Sequence, residues 1–241
     1  MSFTRENGRL CNQIIRNICV SFVSQKFSLN VSYSSYDRIK SLGIPLYSGS
    51  NVYQTSTNLT DDTFFSILHC DSLYSNVNAN SHYFQTKEIS RYIYAWFKGE
   101  NIRSSVMNSN PFKDRYKVNN DCFVHIRLTD VAKMNPGIEY YKKAIDSLNF
   151  DTLYIGTDEP NHPLIKELSE KYPDSQNVSY NEVKTIQFAS TNKHVILSHG
   201  SYSTVIGYLS FFSDVYYPMY EPKKIWYGDT FSIPEWNRVD F

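Results

Sequence analysis

The stretch DCFVHIRLTDVAK, Asp121–Lys133, ends an apolar run with three groups able to hold an anion or move protons: His125, Arg127 and Asp130. His125 and Arg127 stand two residues apart, the spacing at which side chains of an extended strand share a face, so both can converge on one ligand. A guanidinium is planar, permanently charged and able to grip a phosphate through two N–H groups at once. Further along, LYIGTDEP places Thr157, Asp158 and Glu159 after a second apolar run, and HVILSHGSYS places Ser198, His199, Gly200, Ser201 and Ser203 after a third. A Gly-Ser turn that opens a helix offers free backbone N–H groups, hydroxyls and the positive end of the helix dipole. An arginine beside such a helix start suits a diphosphate-sized ligand. Each cluster also has a plainer reading. Asp158 and Glu159, before Pro160, can cap a helix, and SHGSYST can be an ordinary glycine turn with a serine cap. Neither a GxGxxG nor a GxxxxGK[ST] motif occurs.

The elements that must position these groups follow from hydrophobic rhythm. From Asp121 onward the sequence predicts a strand CFVHIRL, a helix GIEYYKKAIDSL, a strand TLYIGT and a helix HPLIKELSEKY. A third helix EVKTIQFAST then precedes a strand HVILSHG, a helix YSTVIGYLSFF and a last strand Asp214–Tyr220. Strands alternating with helices of this length predict βαβ units and a parallel sheet. Ligands of such sheets bind beyond the carboxyl ends of the strands, near a switch in strand order. All three polar clusters fall at those ends. The N-terminal part is less regular. Leu10, Ile14, Ile18 and Phe22 recur at intervals of four and predict an amphipathic helix over Leu10–Gln25. SLNVSY alternates as a short strand. Ser48–Ser81 reads as loops and short pieces around FFSILHC. Thr86–Phe97 predicts a second helix with a threonine cap. The polar tract Lys98–Asn120 holds the expected boundary between a domain over residues 1–115 and one over 116–241.

Composition bounds the partners. With 24 basic and 24 acidic side chains among 241 residues, no overall field draws the chain to nucleic acid or to an anionic membrane. Twenty tyrosines and fifteen phenylalanines could furnish stacking surfaces for sugars or bases. Cys11, Cys19, Cys70 and Cys122 lack CxxC or Cys/His spacing, which suits thiols in a reducing compartment better than a disulfide frame or a zinc site. No apolar run has the length of a signal or membrane segment, so the expectation is a cytoplasmic protein without a membrane span.

Six segments, in order, resemble the α-1,2-fucosyltransferase family (glycosyltransferase family 11) and its α-1,6- and protein O-fucosyltransferase relatives. VHIRLTD is similar to the family's His-x-Arg-x-x-Asp signature. GRLCNQ, Gly8 to Gln13, resembles a Gly-Arg-Leu-Gly-Asn-Gln element, and YFQTKEISRYI a Tyr-Phe-Gln-Ser segment. IEYYKKAI resembles the helix after the arginine motif, LYIGTDEP a Ser/Thr-Asp-Asp element, and HVILSHGSYSTVIGYL a Ser-x-Ser-Ser-Phe-Ser stretch with its helix. Together they cover most of the chain, with the weakest match around residues 45–80. The chain departs from the family at Cys11 (usually glycine), Leu128 (commonly arginine), His199 (usually asparagine) and Gly200 (usually serine).

The resemblance implies an α/β, GT-B-like fold, two Rossmann-like halves facing a cleft, the N-terminal one reduced and irregular. It implies inverting transfer of L-fucose from GDP-fucose to a glycan hydroxyl, with no metal and no cofactor beyond the donor substrate. Arg127 would neutralise the departing diphosphate, Asp130 is the positional candidate for the base that activates the acceptor, and Asn12 completes the catalytic set. His125, Arg127, Asp158, Ser198, Ser201, Tyr202 and Ser203 would bind the nucleotide sugar, and Arg9 and Asn12 would reach the donor or the acceptor. The absence of an Asp-x-Asp triplet agrees with metal-independent chemistry. Two other readings stay open: a transferase of the same fold for another nucleotide sugar, and a degenerate, non-catalytic binding module.

Overall fold

A computed structural model describes residues 1–6, 8–130, 132–219 and 228–241. The chain divides into two compact units, Met1–Ser105 and Val106–Phe241.

The first unit runs β1 (Ser2–Phe3), α1 (Leu10–Phe27), β2 (Val31–Ser32), α2 (Tyr36–Ser41), β3 (Ser56–Asn58), α3 (Phe64–His69), β4 (Asn76–Asn78) and α4 (Lys87–Lys98). Its four short strands form one parallel sheet in the order β2-β1-β4-β3. The helix expected over Leu10–Gln25 is present, but it is more than amphipathic. Gln13, Arg16, Asn17, Ser21 and Ser24 are buried along with the isoleucines, because α1 is the central helix of the unit and packs against both α3 and α4. Thr86 caps α4 as expected, its hydroxyl accepting from the Ile89 amide at 3.3 Å. The tract expected to be mostly loop, Ser48–Ser81, contributes two of the sheet's four strands.

Within the polar tract Lys98–Asn120 lies α5 (Glu100–Ser109), and the division between the units falls inside it. The rest of the tract is tied into the second unit. Asn110 donates to the Tyr116 hydroxyl at 2.9 Å and to the Gln187 carbonyl at 2.8 Å.

The second unit continues β5 (Cys122–Ile126), α6 (Ile138–Asp146), β6 (Leu153–Thr157), α7 (Pro163–Lys171), β7 (Gln176–Val178), α8 (Glu182–Ala189), β8 (His194–Ile196), α9 (Ser201–Leu209), β9 (Asp214–Pro218) and β10 (Asn237–Val239). Every strand and helix expected from Asp121 onward is found; β7 and β10 are additional. Tyr220, the end of the expected last strand, lies outside the described residues. All six strands are parallel, in the order β10-β9-β8-β5-β6-β7. Read from β7, this is the 3-2-1-4-5-6 order of the doubly wound sheet, and the order reverses between β5 and β8.

Strand β5 is central and buried on both faces, which explains its unbroken apolar run. Cys122, Val124, Ile126 and Leu128 pack with Tyr140, Tyr141, Ala144 and Ile145 of α6 and with Ile165 and Leu168 of α7. On the other face Phe123 meets Phe188 of α8 with ring centroids 6.3 Å apart. Leu128 is therefore a core residue, only 4% exposed, where the resembled family commonly has a second arginine.

Phe123 also lies across Gly156 of β6, where an added Cβ would stand 2.5 Å from the ring's Cζ. Since the ring is fully buried, Gly156→Ala should destabilise the second unit by about 1–3 kcal/mol through overpacking. Urea unfolding followed by circular dichroism measures this; an unchanged midpoint would show that the ring can move aside.

Candidate functional site at the switch in strand order

The crevice between the carboxyl ends of β5 and β8 is where a doubly wound sheet binds its ligand. Three of the segments singled out by residue type end beside it. The register explains how they meet. Ile126 pairs with Thr157 across β5 and β6, so the next residues, Arg127 and Asp158, emerge as neighbours. Arg127 Nη1 lies 2.8 Å from Asp158 Oδ2, and Nη2 pairs with Asp130 three residues on.

The two carboxylates differ in kind. Asp158 has a side chain 19% exposed and is held by two further donors, the Leu128 amide at 2.8 Å and the Thr129 hydroxyl at 2.5 Å. Burial pushes its carboxyl up, but those hydrogen bonds and the Arg127 charge outweigh burial, and the net shift is downward. Asp130 has a side chain 51% exposed, so its ion pair is of the solvent-screened kind worth about 0–1 kcal/mol. Arg127 itself is only 13% exposed. Asp158 thus fixes the guanidinium, while Asp130 occupies its outer N–H group through a contact that another anion can replace.

Beneath this pair a buried hydrogen-bond network joins the loops. His125 Nδ1 and Ser203 Oγ share a hydrogen bond of 2.6 Å, and the same oxygen accepts from the Ser198 amide at 2.9 Å. The Tyr141 hydroxyl donates to Ser198 Oγ at 3.0 Å and accepts from Asn135, which also donates to the Arg127 carbonyl at 2.9 Å. Burial pushes the Tyr141 phenol up, so it stays protonated and donates. The Tyr202 ring lies 4.9 Å from the His125 ring, and its hydroxyl donates to the Glu182 carbonyl at 2.6 Å. Gly200, at φ +99°, makes the turn into α9, whose first residue is the half-buried Ser201. His199 is buried, with Nδ1 donating to the Met134 carbonyl.

Of the residues expected to form the site, His125, Arg127, Asp130, Asp158, Ser198, Ser201, Tyr202 and Ser203 all belong to this end of the second unit. Their roles divide. Ser198 and Ser203 are fully buried, and their hydroxyls hold other protein groups. Arg9 and Asn12 belong to the first unit. Arg9 precedes α1, and its carbonyl accepts from the Asn12 amide at 3.0 Å; Asn12 Oδ1 accepts from Gln85 at 2.8 Å. Thr129, Asn135 and Tyr141 were not singled out from the sequence, although Tyr141 lies in the motif IEYYKKAI. Their hydroxyls and amide gain meaning only from the register that brings three loops together.

The four cysteines form no disulfide with one another. Among the described residues, no helix is long and apolar enough to cross a membrane, and no three His, Cys, Asp or Glu side chains group as a metal site. Compared with known proteins, the chain matches no protein-family model and no curated protein.

Burial and the Arg127 charge, against an opposing upward pull from Asp158, push His125 down from 6.5 to about 3. The unfolded chain therefore takes up a proton at this residue before the folded one does. Between about pH 6.5 and 3 the unfolded state binds more protons, so stability falls as pH falls, by about 1.4 kcal/mol per unit once below the upper value. His125→Asn keeps a hydrogen-bonding group beside Ser203 and should flatten that part of the stability–pH curve. An unaltered curve would mean that another group carries the acid sensitivity.

Proposed function

We propose that the chain is a GT-B-like, inverting, metal-independent glycosyltransferase that moves L-fucose from GDP-fucose to a hydroxyl of a glycan acceptor. The observation that carries this reading is the placement of Arg127, a guanidinium fixed by Asp158 at the switch in strand order of a six-stranded parallel sheet. The ordered motifs of the resemblance and the presence of two parallel-sheet units in one chain support it.

The chemistry follows from charge. As the bond from the sugar's anomeric carbon to the β-phosphate oxygen breaks, negative charge grows on the diphosphate. A guanidinium already in place stabilises that state more than the bound substrate. The diphosphate takes the Nη2 group of Arg127 from Asp130, and Asp158 keeps the planar fork in orientation. His125 is neutral at physiological pH, so it adds no second positive charge, and its hydrogen bond to Ser203 braces the strand end that leads to Arg127. The acceptor-activating role expected of Asp130 begins only once its carboxylate leaves Arg127. A loose, oxocarbenium-like transition state asks little of such a base.

A second reading, nucleotide binding without transfer, draws on the same pairing, since both Nη groups of Arg127 already meet carboxylates. The two readings part on turnover. Acceptor-dependent release of GDP from GDP-fucose is expected for the wild type. Arg127→Ala should lower it by about 3 kcal/mol or more in barrier, roughly a hundredfold, with the fold confirmed by circular dichroism. Equal turnover in the two proteins would remove Arg127 from the mechanism, and no release by the wild type would leave only the binding reading. Asp130→Asn should tighten GDP binding by a few-fold, about 1 kcal/mol or less, because a competing carboxylate is removed. Unchanged or weaker affinity, by calorimetry, would mean that Asp130 does not occupy the phosphate position.

A further inference from the structure

The first unit has a switch in strand order of its own. Its sheet, β2-β1-β4-β3, turns back between β1 and β4, and the strands end level, with Phe3 beside Ser32 and Asn78, and Asn78 beside Asn58. The loops that leave this edge carry a pair of groups that the transfer chemistry above does not use. Asp61 follows β3, His82 follows β4, and His82 Nδ1 lies 2.8 Å from Asp61 Oδ2. The side chains are 36% and 27% exposed, so the ring is reachable and its carboxylate partner is better covered.

The backbone around the pair is braced. Arg16, a fully buried residue of α1, donates from Nε to the His82 carbonyl at 3.1 Å and from Nη1 to the Arg5 carbonyl at 3.4 Å. Its guanidinium lies over the Tyr83 ring, 5.7 Å from the centroid. Asn80 accepts from the Arg5 amide at 2.8 Å. The charged and titratable groups around His82 are thus Asp61, the Arg16 guanidinium behind its own carbonyl, and the Tyr83 phenol. In the tautomer that donates from Nδ1 to the Asp61 carboxylate, Nε2 is turned away from that partner and carries a lone pair that can only accept. A ring so oriented, at the carboxyl edge of a parallel sheet, is built to accept a hydrogen bond from a ligand hydroxyl.

We propose that His82, oriented by Asp61, is the hydroxyl-binding residue of a carbohydrate subsite on the first unit. This rests on the glycan-acceptor reading above, and it assigns that acceptor a specific contact. The experiment uses the full chain, labelled with 15N at histidine, at neutral pH. The probes are the methyl glycosides of galactose, glucose and mannose. Before any sugar is added, the His82 resonances should report the tautomer protonated at Nδ1. At least one glycoside should then move the Nε2 resonance on titration. His82→Ala should weaken that glycoside by about tenfold, the value of one lost hydrogen bond. His82→Gln, whose amide oxygen can accept in place of Nε2, should lose less. Asp61→Asn should shift the ring toward the other tautomer and weaken binding as well. A ring protonated at Nε2, a His82 signal indifferent to all three glycosides, or a His82→Ala protein that binds them as tightly as wild type would each overturn the proposal. GDP binding separates it from the transferase reading. If the wild type binds a glycoside at His82 but no GDP, the transferase reading fails and the carbohydrate subsite stands.

Discussion

One ion pair organises the carboxyl end of the second unit's sheet: Arg127 against Asp158, 2.8 Å apart after two adjacent strands. Removing a guanidinium from water is costly unless its N–H groups find oxygens, and a carboxylate there needs donors in turn. The fold supplies both. Register sets the two residues side by side, and the Leu128 amide and Thr129 hydroxyl also donate to the carboxylate. A charge so held cannot drift toward solvent, which is the property a preorganised electrostatic catalyst requires. The exposed Asp130 gives the outer face of the same guanidinium a partner that a stronger anion can displace.

Under that pair, rigidity comes from neutral hydrogen bonds. Asn135 ties the Arg127 carbonyl to Tyr141, Tyr141 ties α6 to Ser198, and Ser203 ties the Ser198 amide to His125. A buried chain of this sort is worth having only when each member is satisfied, and here each link has a partner. The consequence is a division of labour that residue types alone do not show. Ser198 and Ser203 brace the strand ends, while Arg127 stands in its ion pair with Asp158.

How much of this was legible in the sequence depended on length and burial. β5, β6 and β8 could be read because buried parallel strands leave apolar runs that end abruptly in polar residues, and Arg127 and Asp158 stood at those ends. Strands of two or three residues with at most one apolar side chain leave no such run. β1, and β3 and β4 within the tract Ser48–Ser81, exist because they pair with one another in a single parallel sheet, a tertiary cause absent from any short window. β7 and β10 are edge strands of three residues, hidden for the same reason. Alternation put His125 and Arg127 on one face, yet the ion pair with Asp158 needed the register between β5 and β6. The burial of Ser203 likewise needed the packing of α9, since a serine in a glycine turn reads equally well as a ligand contact. Leu128, a departure from the resembled pattern, is explained by the same alternation: it points into the apolar layer beneath α6.

The most direct test of Arg127 as a diphosphate holder is the binding selectivity of the intact protein at fixed ionic strength. A thermal-shift series with GDP, UDP, dTDP and CMP reads it, because a ligand bound only by the folded state adds about 2.7 kcal/mol of stability at a hundred times its Kd. The account predicts that nucleoside diphosphates raise the melting temperature, GDP most of all, and that CMP, with a single phosphate, does so least. A protein indifferent to all four, or one that CMP stabilises as well as GDP, would contradict it.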